Sequence, residues 1–540
     1  MIDGGQSAGH SFGGEWQVWL IESIHSMEKP HMNGAIAQPA RGTWLAAILD
    51  FARRRPGPVL ACVLGLHFLI WTILPILVSA NLQLDLAEDL ALGKEWQLGY
   101  WKHPPLPWWA ADLLYRLTGS VEAVYVLGPV AAVLCFYGVW LLAREMVDEF
   151  SALVAVLALE GIHFYNFSVV KFAHDQMQLP FWAFTGLFFY RALVRGRMLD
   201  WALAGAFLAG AFWSKYAAFA LAATLGLFLL FDPWARRAWR TPGPYVMALA
   251  FAIVIAPNAW WLVTHDFLPF HYVDERARTA AHWYQYVLYP LQWTASQALL
   301  LAPTAGLLAL LYWGGKHQQP MPDEIASFNR RYVTALALGP FVVTTLVAAV
   351  LGRLAITMWG YPLWSFAPLA ALIWMGPVTD PRQLRWFATA FLGIFLTWPL
   401  AYAVIELGEP FMHDRPKATQ FPGQIMAEAI SRSWSESYDT PLVYAGGTEF
   451  AVNNLAVYSP DRPHVLPHGD PKLAPWIDTS DLRRRGAVLV WEEGHLGARL
   501  DLWRETFGEL ELQPTLVLAR QTWHPVKPAR IVYAFVPPRP

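Results

Sequence analysis

Long apolar runs separated by short polar connections make up most of the chain up to about residue 406. A helix needs about 20 apolar residues to cross a bilayer, and about eleven runs reach or approach that length. They lie at 57–80, 121–143, 150–164, 177–194, 199–214, 216–231, 244–263, 286–313, 333–351, 357–375 and 386–406. The pattern therefore predicts a polytopic α-helical membrane protein with about eleven transmembrane helices.

The two ends of the chain differ from this apolar region. Residues 1–50 lack sustained apolar periodicity, and we predict that they form a disordered cytoplasmic N-terminus. Residues 51–406 then form the transmembrane domain. Beyond it, short β-rich runs and helical patterns alternate, at 420–434, 441–444, 487–490 and 497–507. This alternation predicts a small α/β domain over residues 407–540.

Basic residues collect on alternate connections between the apolar runs, and this predicts the orientation of the chain. Lys and Arg accumulate in the short cytoplasmic loops of membrane proteins. Such clusters occur at Arg53–Arg55, Arg191–Arg197, Arg236–Arg240, Lys316–Arg331 and Arg382–Arg385. We therefore expect a multi-pass protein of the cell inner membrane with a cytoplasmic N-terminus. Residues 81–120, 165–176, 264–285 and the C-terminal domain would then be periplasmic.

The composition agrees with membrane embedding, because 56% of the residues are hydrophobic and only 15% are charged. The net charge of -2 comes without a basic cluster that could neutralise nucleic-acid phosphates, so no nucleic-acid partner is expected. The two cysteines, Cys62 and Cys135, lie in apolar runs and predict neither a disulfide nor a thiolate zinc site. His174–Asp175 and His265–Asp266 match no ligand spacing, so no metal or other cofactor is expected.

The first predicted outer loop contains the most informative polar residues. Asp85 and Glu88 are three residues apart, so both carboxylates share one face if this segment is a helix at the membrane surface. Leu82, Leu86 and Leu90 would then rest on lipid or on protein. A simply solvated helix face remains an alternative for the two acids.

Lys102 and His103 follow in the same loop, directly before Pro104 and Pro105. Because proline is favoured in a first helical turn, the two prolines predict a fixed turn that starts a new helix. This turn would orient Lys102 and His103 instead of leaving them mobile. The alternative for His103 is a role as a turn cap.

Later loops add further candidates on the same predicted side. Asp175 precedes one apolar run, and it could bind substrate or stabilise the start of a helix. Lys215 and Tyr216 lie between two short runs, where the lysine could contact a phosphate or extend its ammonium group into water. Arg276 belongs to the polar segment 264–285, which could meet a polar substrate or be merely solvated.

Several of these features occur together in a known family. The acids after the first span, the G-Y-x-x-H-P-P-L stretch from Gly99 to Leu106, the acid at Asp175 and the Ser214-Lys215-Tyr216 motif make the chain similar to one group of membrane glycosyltransferases. The chain resembles the C-superfamily enzymes of the dolichyl-phosphate-mannose protein mannosyltransferase and lipid A aminoarabinose transferase type. The resemblance covers about residues 57–310.

The resemblance implies an enzyme that uses a polyprenyl-phosphate sugar as donor. The acceptor would be an envelope glycan, lipid or protein. Asp85 would be the catalytic carboxylate, with Glu88 as the substitute, because relatives carry adjacent Asp-Glu where this chain has Asp85 followed by Leu86. The substrate-binding residues would be Lys102, His103, Asp175, Lys215, Tyr216 and Arg276.

Two other classes of protein compete with this interpretation. A transporter or lipid flippase would place polar groups near the middle of the membrane, whereas the polar candidates here concentrate at one predicted surface. A non-catalytic protein that anchors its C-terminal domain would need only one span, and about eleven apolar runs exceed that need.

Overall fold

The computed structural model describes residues 44–276, 278–313, 323–377, 380–412, 416–494 and 499–539. Residues 1–43, on which most of the predicted N-terminal disorder falls, lie outside the described residues. The chain divides into two units after Ala47, and the second unit is Ile48–Pro540. The second unit contains all the features discussed below.

The described residues form nineteen α-helices and eight β-strands. The helices are α1 (Trp44–Arg54), α2 (Pro56–Val78), α3 (Leu84–Gly93), α4 (Leu106–Thr118), α5 (Leu127–Ala143), α6 (Glu149–Leu157), α7 (His174–Arg195), α8 (Met198–Ser214), α9 (Phe219–Phe231), α10 (Gly243–Thr264), α11 (Leu268–Arg276), α12 (Gln285–Tyr312), α13 (Glu324–Val350), α14 (Ala367–Met375), α15 (Pro381–Met412), α16 (Gly423–Ser437), α17 (Glu449–Tyr458), α18 (Thr479–Arg485) and α19 (Arg499–Phe507). The strands are β1 (Arg278–Thr279), β2 (Arg353–Leu354), β3 (Tyr444–Gly447), β4 (His464–Pro467), β5 (Ala487–Glu492), β6 (Glu511–Leu512), β7 (Leu516–Leu518) and β8 (Ala529–Val536).

Six helical segments of the described residues are long and apolar enough to cross a membrane. They are Pro56–Val78, Glu122–Ala143, Gly243–Thr264, Gln285–Tyr312, Glu324–Val350 and Pro381–Met412. Shorter apolar helices occupy Glu149–Leu159, Met198–Ser214 and Tyr216–Phe231. The predicted multi-pass helical architecture is therefore confirmed, although six full-length candidates do not establish the predicted number of about eleven spans.

The predicted spans 150–164 and 357–375 are not continuous α-helices. In the run 150–164, α6 ends at Leu157 and 3₁₀ turns follow at Ala158–Gly161 and His163–Tyr165. The run 357–375 consists of a 3₁₀ turn at Thr357–Gly360, further turns and the nine-residue helix α14. Pro362 and Pro368 explain the break, because proline cannot donate a backbone hydrogen bond inside a helix and is tolerated at its first turn. Pro368 indeed lies in the first turn of α14.

Helix α7 has acidic and basic residues at opposite ends. Asp175 lies in its first turn and Arg195 in its last, and 22 residues of helix span about 33 Å. At the basic end, Arg191 and Arg195 both pair with Glu145, which follows helix α5. Arg331 of α13 pairs with Asp232 after α9 at another basic connection. We call the end of the helices at Asp175 the acidic end and the other the basic end.

The C-terminal region is a mixed sheet with helices on both faces. Its strand order is β4-β3-β5-β8-β6, with β7 also paired to β8. The pairs β3–β4 and β3–β5 are parallel, and β8 is antiparallel to its partners. Successive side chains of a strand point to opposite faces. Accordingly, Val488 and Val490 pack with helices α16 and α17, while Leu489 and Trp491 pack with Leu482 of α18 and Trp503 of α19.

The sequence predicted this α/β region, with some shifts in its boundaries. The strand predicted at 441–444 begins only at Tyr444. Before it, the carbonyl of Val443 accepts a hydrogen bond from His464 N, and Pro441 has no amide proton to contribute. The helix predicted at 420–434 extends over Gly423–Ser437, and the one at 497–507 over Arg499–Phe507.

The sheet region packs closely on the segment between α2 and α3. Asn81 Nδ2 donates to Asn454 Oδ1 of α17 at 2.9 Å and to the carbonyl of Ala418 at 3.1 Å. The backbone amides of Ala80 and Asn81 both donate to the carbonyl of Thr419. At Gly423, an added Cβ would lie 2.3 Å from Asn454 Oδ1 and 2.7 Å from Asn81 Oδ1. Glycine at position 423 therefore leaves room for the hydrogen bond between Asn81 and Asn454.

We expect Gly423→Ala to destabilise the protein, because its methyl group would force Asn81 and Asn454 apart. Overpacking of a well-filled contact costs about 1–3 kcal/mol. Thermal unfolding of the detergent-purified protein would measure the effect. Gly408→Ala is the matched control, because no atom lies within 4 Å of a Cβ added there. Equal unfolding temperatures for wild type and Gly423→Ala would contradict the expected close contact.

Candidate active site

Helix α3 carries the two acids that the sequence singles out, and it is buried between protein elements. Leu82, Leu86 and Leu90 belong to the same buried cluster as side chains of α16, α17 and the sheet. The leucine face therefore rests on protein and not on lipid. Glu88 is buried, so it does not belong to a solvated helix face, whereas Asp85 is half-buried.

Lys102 connects this helix to the C-terminal region. Its Nζ lies 2.8 Å from Glu88 Oε2 and 2.9 Å from Glu449 Oε1 at the start of α17. The rings of Trp101 and Tyr272 lie beside the same ammonium group, at 5.7 and 5.4 Å to their centroids. Lys102 is thus enclosed by two carboxylates and two aromatic rings.

The charges of this cluster depend on one another. Burial by itself would lower the pKa of Lys102, but the Glu88 and Glu449 carboxylates outweigh burial and raise it. Burial raises the pKa of Glu88 to about 7, against the opposing effect of Lys102. Burial therefore favours the protonated form of Glu88, while the two carboxylates keep Lys102 charged.

A second buried ion pair joins helix α7 to the end of helix α8. Lys215 Nζ lies 2.7 Å from both carboxylate oxygens of Asp175. Lys215 is buried, so its ammonium group does not reach into water as a snorkelling lysine would. Asp175 lies in the first turn of α7, so the predicted helix-start position and the ion pair occur together.

His103 lies in an aromatic cluster close to these ion pairs. Its ring centroid is 4.2 Å from that of His174 and 5.5 Å from that of Tyr272. His174 Nε2 lies 3.1 Å from the carbonyl oxygen of Pro104, which holds the His-Pro-Pro turn against α7. Helix α4 begins at Leu106 directly after Pro105, as the two prolines predict.

Tyr216 and Arg276 lie further along the same end of the protein. The Tyr216 hydroxyl donates to Asn258 Oδ1 at 3.3 Å, and its ring stacks on Phe270 of α11 at 5.3 Å. Asn258 in turn donates to the carbonyl of Leu98, just before the motif at Gly99. Arg276 is the last residue of α11, and its side chain lies outside the described part of the chain.

Asp85 differs from the other acids of the site. No described residue forms a hydrogen bond or an ion pair with its carboxylate, whereas Lys102 and Lys215 bind Glu88 and Asp175. Burial raises the pKa of Asp85; Lys102 and Lys171 lower it in part, and Asp175 raises it further. The neighbouring Asp89 is fully buried, which raises its pKa well above the usual range.

The structure also adds residues that the sequence did not single out for this site. Glu449 is 347 positions from Lys102, and Tyr272 is 170 positions away, so no local pattern could have joined them to it. The C-terminal region makes further contacts at the same loop. His464 Nδ1 lies 2.8 Å from Glu95 Oε1, and Arg462 pairs with the buried Asp112.

Comparison with known proteins supports the resemblance to membrane glycosyltransferases. The family model described as dolichyl-phosphate-mannose-protein mannosyltransferase matches residues 102–261, from Lys102 into helix α10. The lipid A galacturonosyltransferase RgtD of Rhizobium johnstonii is 29% identical over 237 residues, which make up 42% of this chain and 47% of that protein. The chain thus spans about half the length of this curated relative.

Two solved structures are similar to the chain at lower sequence identity. The mycobacterial arabinofuranosyltransferase AftD aligns with a TM-score of 0.47 and 14% identity, over 89% of this chain and 42% of that chain. The Archaeoglobus fulgidus oligosaccharyltransferase, tethered to an acceptor peptide, aligns with a TM-score of 0.41 and 12% identity, over 82% and 70% of the two chains.

The fold and the matched segment define the chain as a multi-pass membrane protein. Its predicted resemblance to the C-superfamily membrane glycosyltransferases is confirmed by the family match and by the galacturonosyltransferase relative.

We expect Lys102→Met to destabilise the protein more at pH 8 than at pH 5. The raised pKa of Glu88 means that its stabilising, protonated form is present at low pH and is lost as the pH rises through about 7. Removing Lys102 also removes the charge that lowers this pKa, so Glu88 ionises at a higher pH in the variant than in the wild type. The variant therefore loses stability relative to the wild type as the pH rises above about 7, toward the cost of about 3–5 kcal/mol for an uncompensated buried carboxylate. Unfolding temperatures at the two pH values would measure the difference.

Lys171→Met is the matched control, because Lys171 is exposed and has no described ion-pair partner. It removes one positive charge near the same site without opening a buried pair. A loss of stability in Lys102→Met that is the same at both pH values would contradict the role of Glu88 ionisation.

Proposed function

We propose that this protein is a glycosyltransferase that transfers a sugar from a polyprenyl-phosphate-linked donor to an envelope glycan, lipid or protein acceptor on the periplasmic side. The observation that carries the proposal is the Asp85 carboxylate, which has no ion-pair partner among the described residues and feels the charges of Lys102 and Asp175, one member of each lysine–carboxylate pair. The mannosyltransferase family match begins within this site, at Lys102. The relative RgtD is named for transfer of galacturonic acid to lipid A.

Asp85 is the proposed general base. A hydroxyl acceptor attacks the anomeric carbon of the donor more readily when a carboxylate takes its proton, and a base that is already bound to a lysine is weakened for this task. Glu88 and Asp175 are bound in this way, and burial favours the protonated form of Asp89. Asp85 has the accessible, unpaired carboxylate. Glu88 therefore becomes a positioning residue that holds Lys102 and the loop around it.

The leaving polyprenyl phosphate gathers negative charge that a cation must stabilise. Lys102 and Lys215 are each occupied by carboxylates, so in this proposal they shape the site together with His103 and Tyr216. Lys171 is the exposed cation near Asp85 and has no described carboxylate partner. We assign it the contact with the donor phosphate, and Arg276 remains a second candidate for that contact.

The distribution of basic residues supports a cell inner-membrane location with the site outside the cytoplasm. At the basic end, arginines in or near the connections between helices form ion pairs with acidic side chains; these are Arg191, Arg195, Arg237 and Arg331. Under the positive-inside rule this end faces the cytoplasm. The acidic end, with Asp85, and the domain of residues 407–540 would then be periplasmic. Residues 1–50 would be cytoplasmic. Residues 51–406 would form the transmembrane domain, in contact with membrane lipids.

A transporter or lipid flippase is the alternative function. Such proteins commonly bind substrate near the membrane midplane between repeated halves. The paired acids and lysines described above gather at one end of the helices instead. Their contact with an α/β domain fits an acceptor that is modified at the surface.

We expect Asp85→Asn to lower sugar transfer by about 100- to 10,000-fold, the usual contribution of a general base. The assay measures transfer in membranes supplied with lipid-linked sugars, and mass spectrometry of envelope glycolipids and glycans from cells with and without the protein identifies the product. Asp439→Asn is the matched control, because Asp439 is an exposed acid of the C-terminal region. Unchanged transfer by folded Asp85→Asn protein would exclude Asp85 as the base.

We expect Lys171→Ala to lower the transfer rate by about 100-fold, a typical loss when one electrostatic stabiliser of a developing charge is removed. Lys171→Arg should recover part of the rate, because it restores the positive charge. Rates for both variants in the same membrane assay test this assignment. Full activity of Lys171→Ala would shift the phosphate contact to Arg276 or another cation.

A further inference from the structure

An apolar groove runs between the first and last of the long helices, α2 and α15. It has a volume of about 460 Å³ and is lined by aliphatic side chains that include Leu69, Ile73, Leu77, Leu396 and Leu400. All five are largely exposed on the protein surface. Because both helices are candidate membrane spans, the groove opens toward lipid acyl chains.

A second cavity continues the groove at the acidic end. It has a volume of about 380 Å³ and shares Leu77 with the groove. Its lining is more polar, with polar groups from the segment after α2, from α15 and from the C-terminal region, together with one exposed indole. These include Ser79, Glu406, Thr419, Gln420, Thr522 and Trp523. We call this cavity the headgroup pocket.

The groove and the headgroup pocket together have the shape of a site for a single amphiphile. Along α2, the groove extends from Leu69 to Leu77, which is about 12 Å of helix. The polar lining starts directly beyond, at Ser79, where α2 has ended. On α15 the same change occurs between Ala403 and Glu406. An acyl chain fits the first part and a polar headgroup the second.

The charge of the headgroup pocket favours an uncharged headgroup. No lysine or arginine of the described chain lines it, and Lys417 nearby is bound by Glu406 and Glu409. A phosphate or carboxylate headgroup would meet the Glu406 carboxylate without a free cation to offset the repulsion. Gln420 Nε2 has no acceptor among the described residues, and Thr419 donates to Glu406.

Trp523 adds a surface suited to a sugar ring. It is 84% exposed, although a large aromatic side chain is usually at least partly buried. Its indole lines the headgroup pocket beside amide, hydroxyl and carboxylate groups that can hydrogen bond to sugar hydroxyls. Stacking of an apolar ring face and hydrogen bonding at the ring edge are the two interactions that a saccharide needs.

We propose that the groove and the headgroup pocket bind a membrane glycolipid with an uncharged saccharide headgroup, its acyl chain between α2 and α15 and its sugars against Trp523. The position also suggests that this glycolipid is the acceptor, a step that rests on the proposed function. Ala80 lines the pocket and precedes Asp85 by five residues, so their Cα atoms are at most about 18 Å apart. A headgroup of a few sugars spans that range.

The test measures lipid binding by the full chain. The protein is reconstituted in phosphatidylcholine nanodiscs that contain equal small amounts of dihexosyl diacylglycerol and phosphatidylglycerol with the same acyl chains. Native mass spectrometry after transfer to detergent then counts the lipids retained. We expect the dihexosyl lipid to be retained about fivefold more than phosphatidylglycerol, a preference typical of one aromatic contact.

Two substitutions test the two halves of the site. Leu400→Trp fills the groove, and Trp523→Ala removes the stacking surface, so each should abolish the preference. Leu249→Trp and Trp283→Ala are matched controls, because these residues are similarly exposed and line neither cavity. Both controls should retain the preference.

Equal retention of the two lipids, or a preference that survives either Leu400→Trp or Trp523→Ala, would overturn the proposal. Displacement of the dihexosyl lipid by an equal amount of undecaprenyl phosphate would also overturn it, because the site would then take the donor lipid. Asp85→Asn should bind the dihexosyl lipid normally. Binding with no sugar transfer by the wild type would therefore refute the proposed function while the glycolipid site stands.

Discussion

Ionised carboxylates can be buried only where a cation and hydrogen bonds replace water, and this constraint organises the acidic end of the protein. Helix α3 buries Glu88 beneath the C-terminal region. Lys102 compensates it from the motif loop, and Glu449 shares the same ammonium group from the other side. Asp175 and Lys215 satisfy the same requirement between two helices of the membrane region. The unpaired Asp85 acquires its distinct chemistry from these neighbours.

The position of each group follows from local structure. Pro104 and Pro105 end the motif loop and start α4, so the preceding Lys102 and His103 are held in one place. The short connection after α8 places Lys215 against the first turn of α7. The site is built from ion pairs and aromatic contacts, which suits a reaction that needs a base and a stabilised leaving group.

Much of this organisation could be predicted from the sequence, because the signals were local. Apolar runs located the long helices, the two prolines located the start of α4, and the β-rich runs located the C-terminal sheet. The break at 357–375 was missed, because Pro362 and Pro368 lie inside a run whose hydropathy alone suggests a helix. The role of Lys102 as a bridge was missed for a different reason. Its partner Glu449 comes from a distant element, and only the folded chain brings them together.

The bridge through Lys102 has a consequence for modular engineering of such proteins. A domain that only tethers a binding surface could be exchanged between relatives at a linker. Here residue 449 supplies a countercharge to the loop that positions the candidate active site, and Asn454 fixes the start of that same segment. A chimera with a foreign C-terminal domain would lose one of the two carboxylates that bind Lys102, unless it also brought an acid to that position. The surface of the C-terminal domain and the charge balance of the candidate active site would therefore have to be redesigned together.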